Sequence, residues 1–208
     1  MLTALHRIQQ HYQAIYQTQA PDVREFFVER RHLEEIVGSD IRHADEWVLV
    51  HQDGPNVDLA VYVSAEHLKH LQGAANPKAA VNECFRAFCA ATEAVSHFVT
   101  LIERARRGEP ISLLELEMQA EIDKYICARL HHPHLKRRWH HQLFRRCELA
   151  ADLNQTESDR YREAGRLAEG LCSHLDTMPH IDALLTTARR FWRDSRANRM
   201  AQARRLAA

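Results

Sequence analysis

The chain has 208 residues, of which 45% are hydrophobic and 27% are charged. These proportions fit one globular domain, or one domain with a small appendage, and exclude a chain that is disordered throughout. With only six Gly and six Pro, the composition also excludes collagen-like and many-turned all-β chains and favours helix. Residues 1–68 hold 5 basic and 11 acidic side chains, whereas residues 129–208 hold 16 and 9. The two parts can attract each other within the fold or between subunits, or the basic part can bind an anionic partner.

The amino-terminal residues and the cysteines predict a cytoplasmic protein. Residues 1–10 lack the apolar core of a signal peptide, and no stretch approaches the roughly 18 apolar residues of a membrane span. We therefore expect no membrane partner. No C-x-x-C pair occurs, so a zinc site built from cysteine pairs is excluded. Reduced core thiols are predicted for all five cysteines: Cys84, Cys89, Cys127, Cys147 and Cys172.

The first elements along the chain are helical, with one short ambiguous segment. Apolar residues recur at helical spacing over residues 3–18, which predicts an amphipathic helix. Residues 26–28 are compatible with a short strand. Residues 30–37 are compatible with a short helix that ends at Gly38, because glycine commonly follows the last helical turn.

A β-hairpin is the clearest strand signal in the chain. Residues 47–50 are apolar, residues 53–56 have turn chemistry, and residues 57–63 alternate apolar and polar side chains. A two-stranded hairpin is only marginally stable alone, so it must pack on a helix or find a third strand. A short helix capped by Ser64 is predicted over residues 65–72. Residues 1–72 are thus expected to form a small α+β part.

The remainder of the chain, residues 76–208, is predicted to be a helical bundle with a basic carboxyl-terminal helix. Residues 78–107 show a heptad-like apolar pattern that predicts one long buried helix. Ser112 and Glu115 have the spacing of a capping box, which predicts a second helix over residues 113–131. The short connection between these helices predicts an antiparallel hairpin.

Three further helices complete a predicted bundle of five over residues 76–195. Pro133 forces a break in the helix. Helical spacing then begins again at three places: at Trp139, after a cap at Thr156, and after Pro179. The fold class that we predict is therefore α+β, mostly α, with an antiparallel helical bundle that follows a small helix and a hairpin. The β part is too small for a core of its own, so one cooperative unit is expected.

The helix over residues 113–131 carries acidic side chains where a central helix should be apolar. Its apolar residues lie almost all the way round, which predicts a position inside the bundle. Glu117, Glu121 and Lys124 lie on one stripe, with His131 if the helix extends so far. Two carboxylates at i and i+4 repel each other unless a cation or a proton lies between them.

These acidic side chains suggest a metal site. The helical hairpin places His97 beside Glu121, and Glu93 lies one turn from His97, so that Glu93, His97, Glu117 and Glu121 could converge. Carboxylates and imidazole can bind Zn, Mn or Fe in a bundle. The alternative is structural: Lys124 neutralises Glu121, Glu117 faces water and Glu93 pairs with His97. Deep burial of Glu117 and Glu121 would favour the metal site, and exposure to water would favour the structural alternative.

Two basic segments are candidates for anion binding. Residues 131–141 contain five of the fifteen histidines. They suggest a metal-binding loop, a pH-sensitive surface or an anion site, although such residues are often merely exposed. The stretch from Arg189 to Arg205 has seven arginines and one acid, which suits a phosphate backbone, a solvated helical tail or a contact with the acidic amino-terminal part of another subunit. The candidate anion-binding residues of the first segment and its continuation are Arg137, Arg138, Arg145 and Arg146.

The sequence contains no G-x-x-x-x-G-K, G-x-G-x-x-G, G-x-S-x-G or H-E-x-x-H motif, and the residues resemble no named family. The function that we expect is a non-catalytic regulatory or assembly module with a protein partner or a second copy. No cofactor is expected for this function. A metal-dependent enzyme that uses the Glu/His site with a divalent metal (Zn, Mn or Fe) is the alternative. A binder of anions or nucleic acid is the second alternative.

Overall fold

The computed structural model describes residues 2–38, 45–54, 56–74, 77–146 and 153–208. The protein is mostly helical and contains one two-stranded antiparallel sheet, which confirms the predicted fold class. No helix in this part of the chain is long and apolar enough to cross a membrane.

The chain divides into two compact units. The first contains residues 1–12 and 19–108, and the second contains residues 13–18 and 109–208. The predicted cooperative folding of an amino-terminal part with a bundle stays a prediction. The elements that begin in the first unit are α1 (Thr3–Tyr16), a 3-10 turn (Val23–Glu25), α2 (Arg30–Val37), β1 (Glu46–Asp53), β2 (Asn56–Val63), α3 (Ala65–Gly73), α4 (Pro77–Glu83) and α5 (Phe85–Arg106).

The β-hairpin forms in the predicted place. β1 and β2 are antiparallel, with Val48 opposite Val61 and Val50 opposite Leu59. Val61 is fully buried, and α5 packs against both strands. The sheet thus acquires the helical support that an isolated hairpin lacks.

The segment predicted as a short strand lies beside β2. The Val61 amide donates to the Phe26 carbonyl at 2.8 Å, and the Val28 amide donates to the Val61 carbonyl at 2.9 Å. This parallel bridge covers the edge of β2 that faces away from β1. The Phe26 ring also packs on Phe98 of α5, with ring centroids 4.9 Å apart.

The predicted long helix over residues 78–107 is divided in two at Cys84. The backbone angles of Cys84, φ −129° and ψ 44°, lie outside the helical region, and its thiol lies 3.6 Å from the His70 carbonyl oxygen in α3. α4 therefore ends at Glu83 and α5 begins at Phe85. The apolar periodicity continues across the break, so the sequence pattern could not show it.

The second unit is built around α6. Apart from the end of α1, its elements are α6 (Leu113–His131), a 3-10 turn (Pro133–Leu135), α7 (Lys136–His140), a π turn (His141–Arg145), α8 (Gln155–Leu175), α9 (Ile181–Arg193) and α10 (Arg196–Leu206). α6 packs closely on α8 and is buried on nearly every side. The predicted capping box is present: the Ser112 amide donates to Glu115 Oε2 at 3.0 Å, and the Ser112 hydroxyl accepts from the Glu115 amide.

The start of α8 differs from the predicted start. Asn154, and not Thr156, is the N-cap: its side chain accepts from the Glu157 amide at 2.9 Å, and Glu157 accepts from the Asn154 amide at 2.9 Å. Thr156 lies in the first turn, because an asparagine with a glutamate three residues later makes a complete capping box. Helical structure after Trp139 is confirmed as far as Arg145, and residues 147–152 lie outside the described residues.

Candidate functional site

The four predicted metal ligands lie on two helices. In the first unit, Glu93 is half-buried on α5 and His97 is 9% exposed, and their potential ligand atoms lie within 4.8 Å of each other. In the second unit, Glu117 and Glu121 lie one turn apart on α6. The prediction that the four side chains bind one metal ion stays a prediction.

On α6, the structure agrees with the structural alternative at Glu121 and disagrees with it at Glu117. Lys124 Nζ lies 2.6 Å from Glu121 Oε1, and both side chains are largely buried. Lys124 thus neutralises Glu121, as the structural alternative expected. Glu117 is only 7% exposed, so the expectation that it faces water is wrong. A buried carboxylate needs compensating donors or a cation.

The predicted anion-binding residues after α6 remain at the surface. Arg145 makes an ion pair with Glu169 at 2.8 Å, and Arg138 lies over the Trp139 ring at 4.9 Å from its centroid. All four candidates, Arg137, Arg138, Arg145 and Arg146, are exposed. Their binding of an anion stays a prediction.

The carboxyl-terminal arginines make several contacts within the second unit. Arg199 is fully buried and binds the fully buried Glu115 at 3.1 Å. Arg196 binds the same carboxylate at 2.8 Å. Arg189 Nε donates to the Ile15 carbonyl at 2.6 Å, near the last turn of α1, where carbonyl oxygens lack helical partners. These contacts support a structural role for part of the basic stretch.

A cavity of about 620 Å³ lies beside the arginines of α9. Arg193 donates to Gln17 Oε1 at 2.9 Å, and Gln17 has a positive φ of 53°. The arginines here stabilise the end of α1, so their positive charge is already opposed by the carbonyl end of a helix. The lining residues are Gln17, Thr186, Arg189, Arg190, Arg193 and Asp194.

A carboxylate cluster around Asp176 was not predicted from the sequence. Asp176 accepts from Arg129 Nε at 3.4 Å and lies 3.1 Å from His140 Nε2. Burial alone would raise the pKa of Asp176, but the hydrogen-bonded His140 ring and the nearby Tyr125 hydroxyl outweigh it and hold the pKa below its usual value. The clustered histidines of residues 131–141 include His140, but no local sequence pattern connects His140 with Asp176, which lies 36 positions later.

The outer half of the hairpin presents an uncovered apolar face. Val50 is 50% exposed and Val57 is 39% exposed, while Leu59 is half-buried. The pairs Val50 with Leu59 and Gln52 with Val57 place these three apolar side chains on one face. We call Val50, Val57 and Leu59 the distal apolar face. These adjoining apolar side chains offer a partner strand an apolar contact beside the edge.

The outer side of β1 is a second surface feature of the hairpin. Val61 directs its amide and carbonyl towards Phe26 and Val28, away from β1. Val48 lies opposite Val61, so it directs its own backbone groups away from β2, as do Val50 and Gln52 at two-residue spacing. Among the described residues no strand pairs with this side of β1. We call the outward backbone groups of Val48, Val50 and Gln52 the outer edge of β1.

Comparisons with protein families, curated proteins and solved structures find no match to this chain. Its function is therefore inferred from its own geometry. The two surface features of the hairpin, the distal apolar face and the outer edge of β1, lie on the same element of the first unit and adjoin each other at Val50.

Proposed function

We propose that this protein is a non-catalytic assembly module that binds an extended strand at the outer edge of β1. The observation that carries the proposal is an edge with which no strand pairs among the described residues, together with an adjoining exposed apolar face. In strand addition, backbone hydrogen bonds supply affinity, and alternate side chains pack on the sheet. β1 offers both kinds of contact.

The sequence of β1 supports the same function because it lacks the usual protection of an edge strand. Edge strands commonly avoid pairing by means of lysine, proline or a bulge. The segment Glu46–Asp53 contains neither lysine nor proline, and its register with β2 continues without a bulge. An edge of eight residues without lysine, proline or a bulge favours a functional pairing partner.

Binding of a labelled strand tests this function. A fluorescent peptide with the sequence of Glu46–Asp53 serves as the incoming strand, and its anisotropy is measured against increasing concentrations of the whole protein. We expect saturable binding. The matched control peptide is N-methylated at Val48 and Val50, which removes two backbone donors and preserves both side chains.

A proline variant of the protein completes the test. The Gln52 amide points outward, so Gln52→Pro removes an edge donor while the ladder with β2 is preserved. We expect this variant to bind the unmethylated peptide at least about tenfold more weakly, which corresponds to about 1.4 kcal/mol. Equal binding of both peptides, or no binding at all, contradicts the proposal.

A metal-dependent enzyme is a second candidate, favoured by the burial of Glu117 on α6. The proposal is that Glu93, His97, Glu117 and Glu121 would hold Zn, Mn or Fe, and the ion would supply a Lewis acid that activates water. Metal analysis of protein purified without a histidine tag tests it. Stoichiometric metal that Glu117→Gln removes supports the site, and a metal-free protein contradicts it.

A further inference from the structure

We propose that the strand bound at the outer edge of β1 is β1 of a second copy of this chain, paired antiparallel about a two-fold axis through Leu49. This inference rests on the proposed function, that the edge binds an extended strand. It adds the identity of the partner and the register of the pairing.

The outward residues of β1 fix the register. A centre at Leu49 sets Val48 of one copy opposite Val50 of the other, and it sets Glu46 opposite Gln52. Residues with outward backbone groups then face each other along the whole strand, as hydrogen-bonded antiparallel pairs require. A centre at Val48 would instead set the acidic Glu46 opposite an exposed valine. A centre at Val50 would leave Glu46 opposite Gly54, beyond the end of β1.

The same register continues the apolar face across the interface. Val50, which is 50% exposed, comes to lie beside Val48 of the second copy. Because a two-fold axis perpendicular to the sheet preserves its faces, the distal apolar face of each hairpin adjoins the apolar face of the other. The most exposed valine of β1 thus gains an apolar neighbour from an identical chain.

The ends of the strand bring two carboxylates together in this register, and Arg86 is placed to neutralise them. Asp53 is exposed, and it comes opposite Asp45 of the second copy. Asp45 already binds Arg86 at 2.8 Å, and the Arg86 side chain is 78% exposed. One guanidinium group can bind two carboxylates, so Arg86 of each copy can also bind Asp53 of the other.

A single cysteine variant tests the two-fold axis. Leu49 would face itself in a pair without backbone hydrogen bonds, with Cα atoms about 4.5 Å apart. Disulfides form at Cα separations of about 4.4 to 6.8 Å, so Leu49→Cys should form a covalent dimer under mild oxidation. The matched control is Val50→Cys, in which the two cysteines are diagonal neighbours about 7 to 8 Å apart. The wild-type protein, with its five native cysteines, measures the background.

Sedimentation velocity of the unmodified chain gives the second readout. We expect a species of twice the 24.2 kDa of one chain, and a single-chain mass for Gln52→Pro. A dimer by sedimentation together with a disulfide in Leu49→Cys, and none above background in Val50→Cys, supports the inference. A disulfide in Val50→Cys alone overturns the register, and a monomer with no disulfide overturns the second copy as partner. If the labelled peptide still binds that monomer, the strand-binding function stands and only this inference fails.

Discussion

At the residue scale, charged side chains inside the second unit are the most sensitive points of the structure. Glu115 and Arg199 are both fully buried and lie 3.1 Å apart. Removal of Arg199 takes away the fully buried partner of Glu115 and leaves that buried carboxylate with the half-exposed Arg196 and the Ser112 cap. The pair thereby fixes α10 on the first turn of α6.

Loss of Arg199 should be costly, whereas loss of an exposed arginine on the same helix should not. For Arg199→Met we expect the free energy of unfolding to fall by about 3 kcal/mol. The control Arg205→Met, at an exposed position, should change it by less than about 0.5 kcal/mol. Urea denaturation measures both. Equal losses in the two variants would contradict the assigned role of the buried pair.

Asp176 should make the free energy of unfolding depend on pH in the acidic range. Its folded pKa lies below the usual value of 3.8, so its stabilising effect is present above that value and is lost as the pH falls through the folded pKa. We expect Asp176→Asn to destabilise the protein at about pH 6 and to have a smaller effect at about pH 3. Urea denaturation at both values tests this. A difference from wild type that is independent of pH in this range argues against the assignment.

For single residues, the sequence indicates which charged side chains matter but not which distant residues they contact. The prediction that Lys124 neutralises Glu121 needed only their spacing of three residues, and it is correct. The pairing of Asp176 with His140 and that of Glu115 with Arg199 join residues 36 and 84 positions apart. No helical or strand period encodes such distances, so only the tertiary structure reveals them.

At the element scale, the packing of α8 against α10 depends on the absence of one side chain. A Cβ atom at Gly170 would lie 2.7 Å from backbone atoms of Ala207. Gly165, on the same helix, has nothing within 4 Å of that position. Gly170 therefore permits a close approach of two backbones, and Gly165 provides a control position on the same helix.

Alanine at these two positions should have opposite effects. Gly170→Ala must displace the end of α10, and we expect a loss of about 1 to 3 kcal/mol in the free energy of unfolding. Gly165→Ala should stabilise the helix by about 0.5 to 1 kcal/mol, because alanine has the higher helix propensity. Thermal and urea denaturation measure the changes. Stabilisation by both substitutions would show that α10 does not approach α8 so closely.

Most elements could be predicted because their signals are local. The hairpin, the capping box at Ser112 and the short helix that ends before Gly38 all follow from residues close in sequence. The break at Cys84 and the bridge between Phe27 and Val61 depend on contacts with distant segments. The exposure of the β1 edge could not be predicted either, because it depends on which distant residues lie beside the strand.

At the scale of the whole molecule, the uneven charge and the strand edge suggest two different modes of association. Attraction between the acidic and basic parts of two chains would be screened by salt. Strand addition depends on backbone hydrogen bonds and apolar contacts, which salt screens little. Salt therefore distinguishes the modes.

The response to salt is a prediction for the intact protein. We expect the affinity for the labelled β1 peptide to change by less than about threefold between about 0.05 and 1 M NaCl. Fluorescence anisotropy of the same titration at several salt concentrations measures it. A loss of affinity by a factor of about 100 over this range would assign the association to charge attraction instead.

Hydrogen–deuterium exchange of individual backbone amides tests the central claim most directly, because it locates the bound strand. With the protein diluted until sedimentation velocity finds the single chain, so that no second copy already protects the edge, we predict that the β1 peptide slows exchange at the amides of Val48, Val50 and Gln52 and leaves exchange at Val57 unchanged. Protection elsewhere, or unchanged exchange at all three β1 amides under saturating peptide, would contradict strand binding at the outer edge of β1.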